Sequence, residues 1–85
     1  MPQHKINTNI QESEPEITQL KYLGRYIREV RICESLTQVE AANLCGISIG
    51  CLQHMEKGNN VTIATLIKVA ESYDISIADF FSDLD

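Results

Sequence analysis

The sequence predicts an all-α fold, a bundle of five short helices behind a polar N-terminal arm. Three observations carry this expectation. Apolar residues recur at steps of three and four from Ile17 onward, the spacing of a single helix face. Serine or threonine opens the later apolar stretches, twice with an acid three residues on, and glycine closes two of them. No segment combines β-branched density with hairpin turn chemistry.

The elements follow in order. Residues 1–16 read as an arm, polar and ending in Glu12-Ser13-Glu14-Pro15-Glu16, and residues 17–85 as the folded domain. Ile6, Thr8 and Ile10 alternate within the arm, as a short strand would if a partner supplied its other edge. The first helix runs from about Thr18 to Glu34, with Leu20, Leu23, Ile27 and Val30 on its stripe. Thr37-Gln38-Val39-Glu40 is a capping box that opens the second, and Gly46 ends it as a left-handed residue. Ser48 caps a third helix reaching Lys57, with Gly58 as its stop. Thr62 opens a fourth, whose Ile63, Leu66, Ile67 and Ala70 are expected to face inward. Ser76 and Asp79 box a short fifth helix carrying Phe80, Phe81 and Leu84. Adjacent aromatics on a helix cannot both enter one core. One of Phe80 and Phe81 is therefore expected inward and the other at a dimer interface, which makes Phe80, Phe81 and Leu84 the candidate dimer residues.

Eighty-five residues is room for one small domain, too small to enclose a substrate as most metabolic enzymes do. Seven Lys and Arg against twelve Asp and Glu give a net charge of −5, which by itself argues against a protein that sits on phosphates. The distribution changes that. Residues 17–36 hold four of the cations and two acids, whereas residues 58–85 hold one cation and five acids. Acid collects in the arm and at the C-terminal rim, and the positive surplus on the first helix, with Lys21, Arg25 and Arg28. No apolar run is long enough to span a membrane, and the N-terminus lacks the apolar core of a signal peptide. Cys33, Cys45 and Cys51 form no CxxC, and neither His4 nor His54 stands at a metal-ligand spacing from them. A reduced cytoplasmic chain with no metal, cofactor or catalytic set is expected.

The second and third helices, about residues 38–57, make a helix-turn-helix candidate. Two short helices crossing steeply need a small residue where they touch, and Ala42 is there. Their turn needs positive φ, and Gly46 provides it. Ala41, Cys45, Ile47, Leu52 and Met55 supply the inner faces.

From Leu23 to Phe81 the chain resembles the Cro/C1-type (XRE-like) helix-turn-helix DNA-binding proteins. The resemblance is carried by Leu23-Gly24-x-x-Ile27-Arg28-x-x-Arg31, Leu36-Thr37-Gln38, Gly46-Ile47-Ser48, Glu56-Lys57-Gly58 and the helix from Val61 to Ala70. It implies a lambda-repressor-like bundle, with Arg31 and Glu56 as a partly buried ion pair. It also implies that Gln38 bonds a backbone phosphate and that the third helix enters the major groove. Ser48, Ile49, Gly50, Gln53 and His54 would then face the bases, with Arg28, Lys57 and Asn59 completing the DNA-facing set. The protein expected is a repressor-type regulator, a homodimer on double-stranded DNA with a near-palindromic operator. Its half-sites would lie about 34–36 Å apart. Two other readings share the fold. In an antitoxin, the arm would be the segment that binds a toxin. In a protein-interaction module without DNA binding, Val39, Leu44, Ile49 and Cys51 would form an apolar patch.

Overall fold

The computed structural model describes residues 15–81, with side chains through Phe80. The arm segment holding Ile6, Thr8 and Ile10, and also Leu84, lie outside the described residues. Four α-helices succeed one another: α1 Pro15–Cys33, α2 Gln38–Cys45, α3 Ile49–Glu56 and α4 Ile63–Tyr73. A 3₁₀ turn at Ile77–Phe81 is the last element among the described residues, where the sequence predicts a fifth α-helix. Such tight turns are common in short connecting and terminal pieces.

α1 starts inside the segment assigned to the arm, because Pro15 and Glu16 are helical. Proline loses nothing in a first turn, where its N–H would lack a helical partner, and Glu16 complements the positive end of the helix dipole. The other boundaries are local hydrogen bonds. Thr37 Oγ1 accepts from the Glu40 amide at 3.1 Å, and the Glu40 carboxylate accepts from the Thr37 amide at 2.8 Å. Gly46 ends α2 at φ 71°, ψ 33°. Ser48 Oγ accepts from the Cys51 amide at 3.0 Å and Thr62 Oγ1 from the Thr65 amide at 3.1 Å. Ser76 and Asp79 cap each other reciprocally at 3.2 and 3.3 Å. α4 stops at Asp74, which takes φ 58° without being glycine, as a short polar side chain can.

α1 packs on α3 and on the closing turn, and α2 lies between α3 and α4. Ile27, Leu52, Leu66 and Val69 are fully enclosed at the centre. Two expectations about facing are corrected here. On α4 the buried set is Leu66, Val69, Ala70 and Tyr73, while Ile63 and Ile67 are 65% and 41% exposed. α4 packs against α2 and the closing turn, and its buried face is the one carrying Leu66, Val69, Ala70 and Tyr73. Phe80 is 3% exposed and meets the Tyr26 ring edge-on at 5.4 Å. It is a core residue, and it leaves the set of candidate dimer residues.

Tyr73 is buried, with the Cys45 thiol beside its hydroxyl. Burial, followed by the neighbouring Cys45, pushes its pKa up to about 12. The unfolded value is near 10, so the folded state holds the phenolic proton more tightly. That contribution is complete below pH 10 and is lost as pH rises to about 12, a total of about 2–3 kcal/mol. Tyr73→Phe is expected to remove this alkaline limb. At pH 7 it should be within about 1 kcal/mol of neutral, because the hydroxyl gives up only a weak bond with the Cys45 thiol. Urea midpoints between pH 7 and 11.5 check both expectations.

Candidate nucleic-acid interface

The site is organised from below by an ion pair. Arg31 points from α1 to the end of α3, where Nε and Nη2 donate to the two Glu56 carboxylate oxygens at 2.7 and 3.0 Å. Its Nη1 donates to the Leu36 carbonyl at 3.0 Å. The side chains are 12% and 4% exposed, so the pair is largely removed from water. The hydrogen bonds to Glu56 raise the Arg31 pKa against the opposing effect of burial. Arg31 is thereby committed to holding α1 against α3. Bidentate charge-assisted geometry makes this pair far more specific than an exposed one.

The pair reaches the surface through two glutamines. Gln38 Nε2 donates to Glu56 Oε1 at 3.1 Å, and Gln53 Nε2 donates to Gln38 Oε1 at 3.2 Å. Sequence reasoning assigned Gln38 a phosphate and did not anticipate either contact. Glu56 and Gln53 stand 18 and 15 residues away, beyond the reach of any local pattern. Arg28, Gln38, Gln53, Glu56 and Lys57 line an open recess of about 290 Å³ where α1, α2 and α3 meet. Two cations and two amides thus converge beside one flank of α3.

The remaining candidates lie elsewhere on α3. Ser48, Gly50, Cys51 and His54 line a second recess of about 360 Å³ with Asn60, Thr62 and Thr65. Gln53 and His54, adjacent in sequence, therefore line different recesses. The Asn59 amide lies 3.4 Å from His54 Nδ1, which joins two expected DNA-facing residues to each other. Ser48 spends its hydroxyl as the α3 cap. Ile49 is 39% exposed, and Gly50 has open space where a Cβ would stand. Cys51, expected on the outer side, is half-buried and packs against the core. Of the α1 cations, Arg25 lies over the Tyr22 ring at 5.6 Å, away from the α2–α3 recess.

This geometry sets two short helices across a left-handed glycine turn, with the second presenting an exposed face. Over residues 27–80 the sequence matches the helix-turn-helix family HTH_3. The chain belongs to the Cro/C1-type helix-turn-helix family. Solved structures of regulators agree with the fold. An HTH_3 family transcriptional regulator from Vibrio cholerae superposes with a TM-score of 0.73 at 28% identity, over 81% of this chain and 40% of that one. The chain therefore spans less than half the length of that regulator. The restriction-modification controller protein C.AhdI from Aeromonas hydrophila gives 0.71 at 29% identity, over 75% of this chain and 98% of its own. The clp gene regulator ClgR from Corynebacterium glutamicum gives 0.70 at 27% identity, over 78% and 71% of the two chains. No curated protein sequence matches. Membership of the family identifies α2, the glycine turn and α3 as its helix-turn-helix unit. Among the described residues no helix is long and apolar enough to cross a membrane.

Proposed function

We propose that the chain is a sequence-specific DNA-binding transcriptional regulator, of repressor type, that acts as a homodimer with α3 in the major groove. The observation that carries this reading is the recess in which Arg28, Gln38, Gln53 and Lys57 converge beside the exposed face of α3. Two cations and two neutral amides suit phosphate oxygens and base edges, and nothing in the arrangement suits a reaction. The match to the restriction-modification controller C.AhdI over 75% of this chain favours a controller over an antitoxin.

A gel shift with the DNA upstream of its own gene tests the reading. A dimer neutralising about four to six phosphates should lose roughly 10²–10³-fold in affinity between 50 and 200 mM salt. Gln53→Ala should weaken that complex and spare non-specific binding. A preparation that shifts no DNA at low salt and carries a co-purifying protein would sink the proposal. The fold would then be serving as an interaction module, for which Val39 and Leu44, 56% and 52% exposed, are the available apolar surface. With Phe80 in the core, Phe81 and Leu84 remain as the proposed dimer contacts. Phe81→Asp should halve the sedimentation mass, and an unchanged mass rejects that interface.

A further inference from the structure

α1 turns one side toward the end of α3, and Lys21, Gly24, Arg28 and Arg31 lie along it at helical spacing. Gly24 lets the two backbones meet, and Arg31 spends its charge on Glu56. Lys21 lies against the turn that follows α3. A Cβ at Gly58 would stand 3.0 Å from the Lys21 Cα and 3.1 Å from its Cγ. The lysine stem is seated there while the residue stays exposed, as Arg25, Arg28 and Lys57 do. Among the described residues none of these four cations stands in an ion pair. Arg28 shares the α2–α3 recess with Lys57, and Lys21 and Arg25 share another of about 190 Å³ with Thr18 and Tyr22. Steps of four and three join the two recesses into one positive band along α1. At 3.6 residues per turn Glu16 and Glu34 fall on the far side of the helix, and Glu29 borders the band without pairing to it.

We propose that this band is a footing for the DNA backbone outside the α2–α3 face, in which Lys21 and Arg25 grip phosphates flanking the bases that α3 meets. The footing rests on the DNA-binding reading and adds to it a surface on α1. Continuity is the first argument, because the band leaves the recess beside α3 through Arg28 with no acid between Arg25 and Arg28. Reach is the second. Seven residues of helix from Lys21 to Arg28 cover about 10 Å, and one DNA strand presents a phosphate for roughly every 3.4 Å of its axis. Chemistry is the third. Arg25 lies over the Tyr22 ring at 5.6 Å, so the ring takes the guanidinium face and leaves the N–H donors at its edge. Phosphate oxygens can accept from two of those donors at once. Phosphate carries no base identity, so such contacts strengthen binding to every sequence alike. A chain of net charge −5 thereby keeps one positive side on which a duplex can lie.

The test compares the full chain with its Lys21→Gln/Arg25→Gln variant on two duplexes, the DNA upstream of its own gene and an unrelated sequence of equal length. Each lost phosphate contact flattens the log–log salt slope by roughly 0.9, so the variant should be shallower by roughly 1.8 per protomer. At 50 mM salt its affinity for both duplexes should fall by the same factor, roughly 10-fold or more, with their ratio unchanged. Lys68→Gln, on α4 and outside the band, should change neither slope nor affinity. Urea midpoints of all variants should match the wild type, since the altered side chains are exposed. Hydroxyl-radical footprints should lose protection at the outer edges of the site and keep it at the centre. An unchanged slope in the double variant, or an equal flattening by Lys68→Gln, overturns the α1 footing while DNA binding stands. A wild type that shifts neither duplex at 50 mM salt overturns the DNA-binding reading and the footing with it.

Discussion

Glu56→Ala should destabilise the domain by about 3–5 kcal/mol, the cost of leaving a buried guanidinium without its carboxylate. Arg31 is 12% exposed and keeps only the Leu36 carbonyl of the partners described for it. It cannot escape by losing its proton, because an arginine guanidinium stays charged in proteins. The loss is large against the roughly 4–13 kcal/mol typical of a domain this size. The cost does not measure what the pair contributes. Replacing both partners with apolar residues, Arg31→Met with Glu56→Leu, should recover most of the stability, since two desolvated charges vanish together. Urea denaturation of the two single variants and the double variant closes the cycle. A Glu56→Ala loss under about 1 kcal/mol would mean that water already reaches the guanidinium. The double variant should nonetheless bind DNA poorly, because Gln38 loses the acceptor that orients it.

The contrast between what the sequence shows and what it hides follows the range of the interactions. The starts of α2, α3 and α4 were legible because each is set by a hydroxyl and an amide three residues apart. The α2 stop was equally legible, since φ of +71° at Gly46 is a local demand. The facing of α4 was not. Its apolar residues at 63, 66, 67, 69, 70 and 73 allow two overlapping stripes, and only the position of neighbouring elements chooses between them. Phe80 and Phe81 posed the same ambiguity, decided for Phe80 by the Tyr26 ring on α1. At the site, family resemblance brought out the residues of α3 but not the links among them. The Glu56–Gln38–Gln53 chain joins α2 to α3 across 18 and 15 residues of sequence, and each glutamine alone looks like an ordinary polar surface residue.

Gly24→Ala should be more damaging than its chemistry suggests, with a loss of about 3 kcal/mol or more. Helix propensity points the other way. In an unpacked helix, alanine would be favoured over glycine by up to about 1 kcal/mol. The two effects are decided by what the new methyl meets. A Cβ at Gly24 would fall on the Met55 carbonyl oxygen, 2.9 Å from the Gly58 amide nitrogen and 3.0 Å from the Glu56 carbonyl. All three are backbone atoms at the end of α3 or just after it, so no side chain can rotate away. Relief requires α1 to lift from α3, which opens the buried seam at Leu23 and Ile27 and pulls Arg31 from Glu56. Gly50→Ala is the internal control, because its Cβ would meet nothing within 4 Å. That variant should gain up to about 1 kcal/mol from propensity alone. Denaturant midpoints of the two variants separate packing from propensity within one molecule. A Gly24→Ala protein as stable as the wild type would show that α1 and α3 stand further apart than their backbones do here. With α3 displaced, Arg28 no longer shares a recess with Gln53 and Lys57, so DNA affinity should fall along with stability.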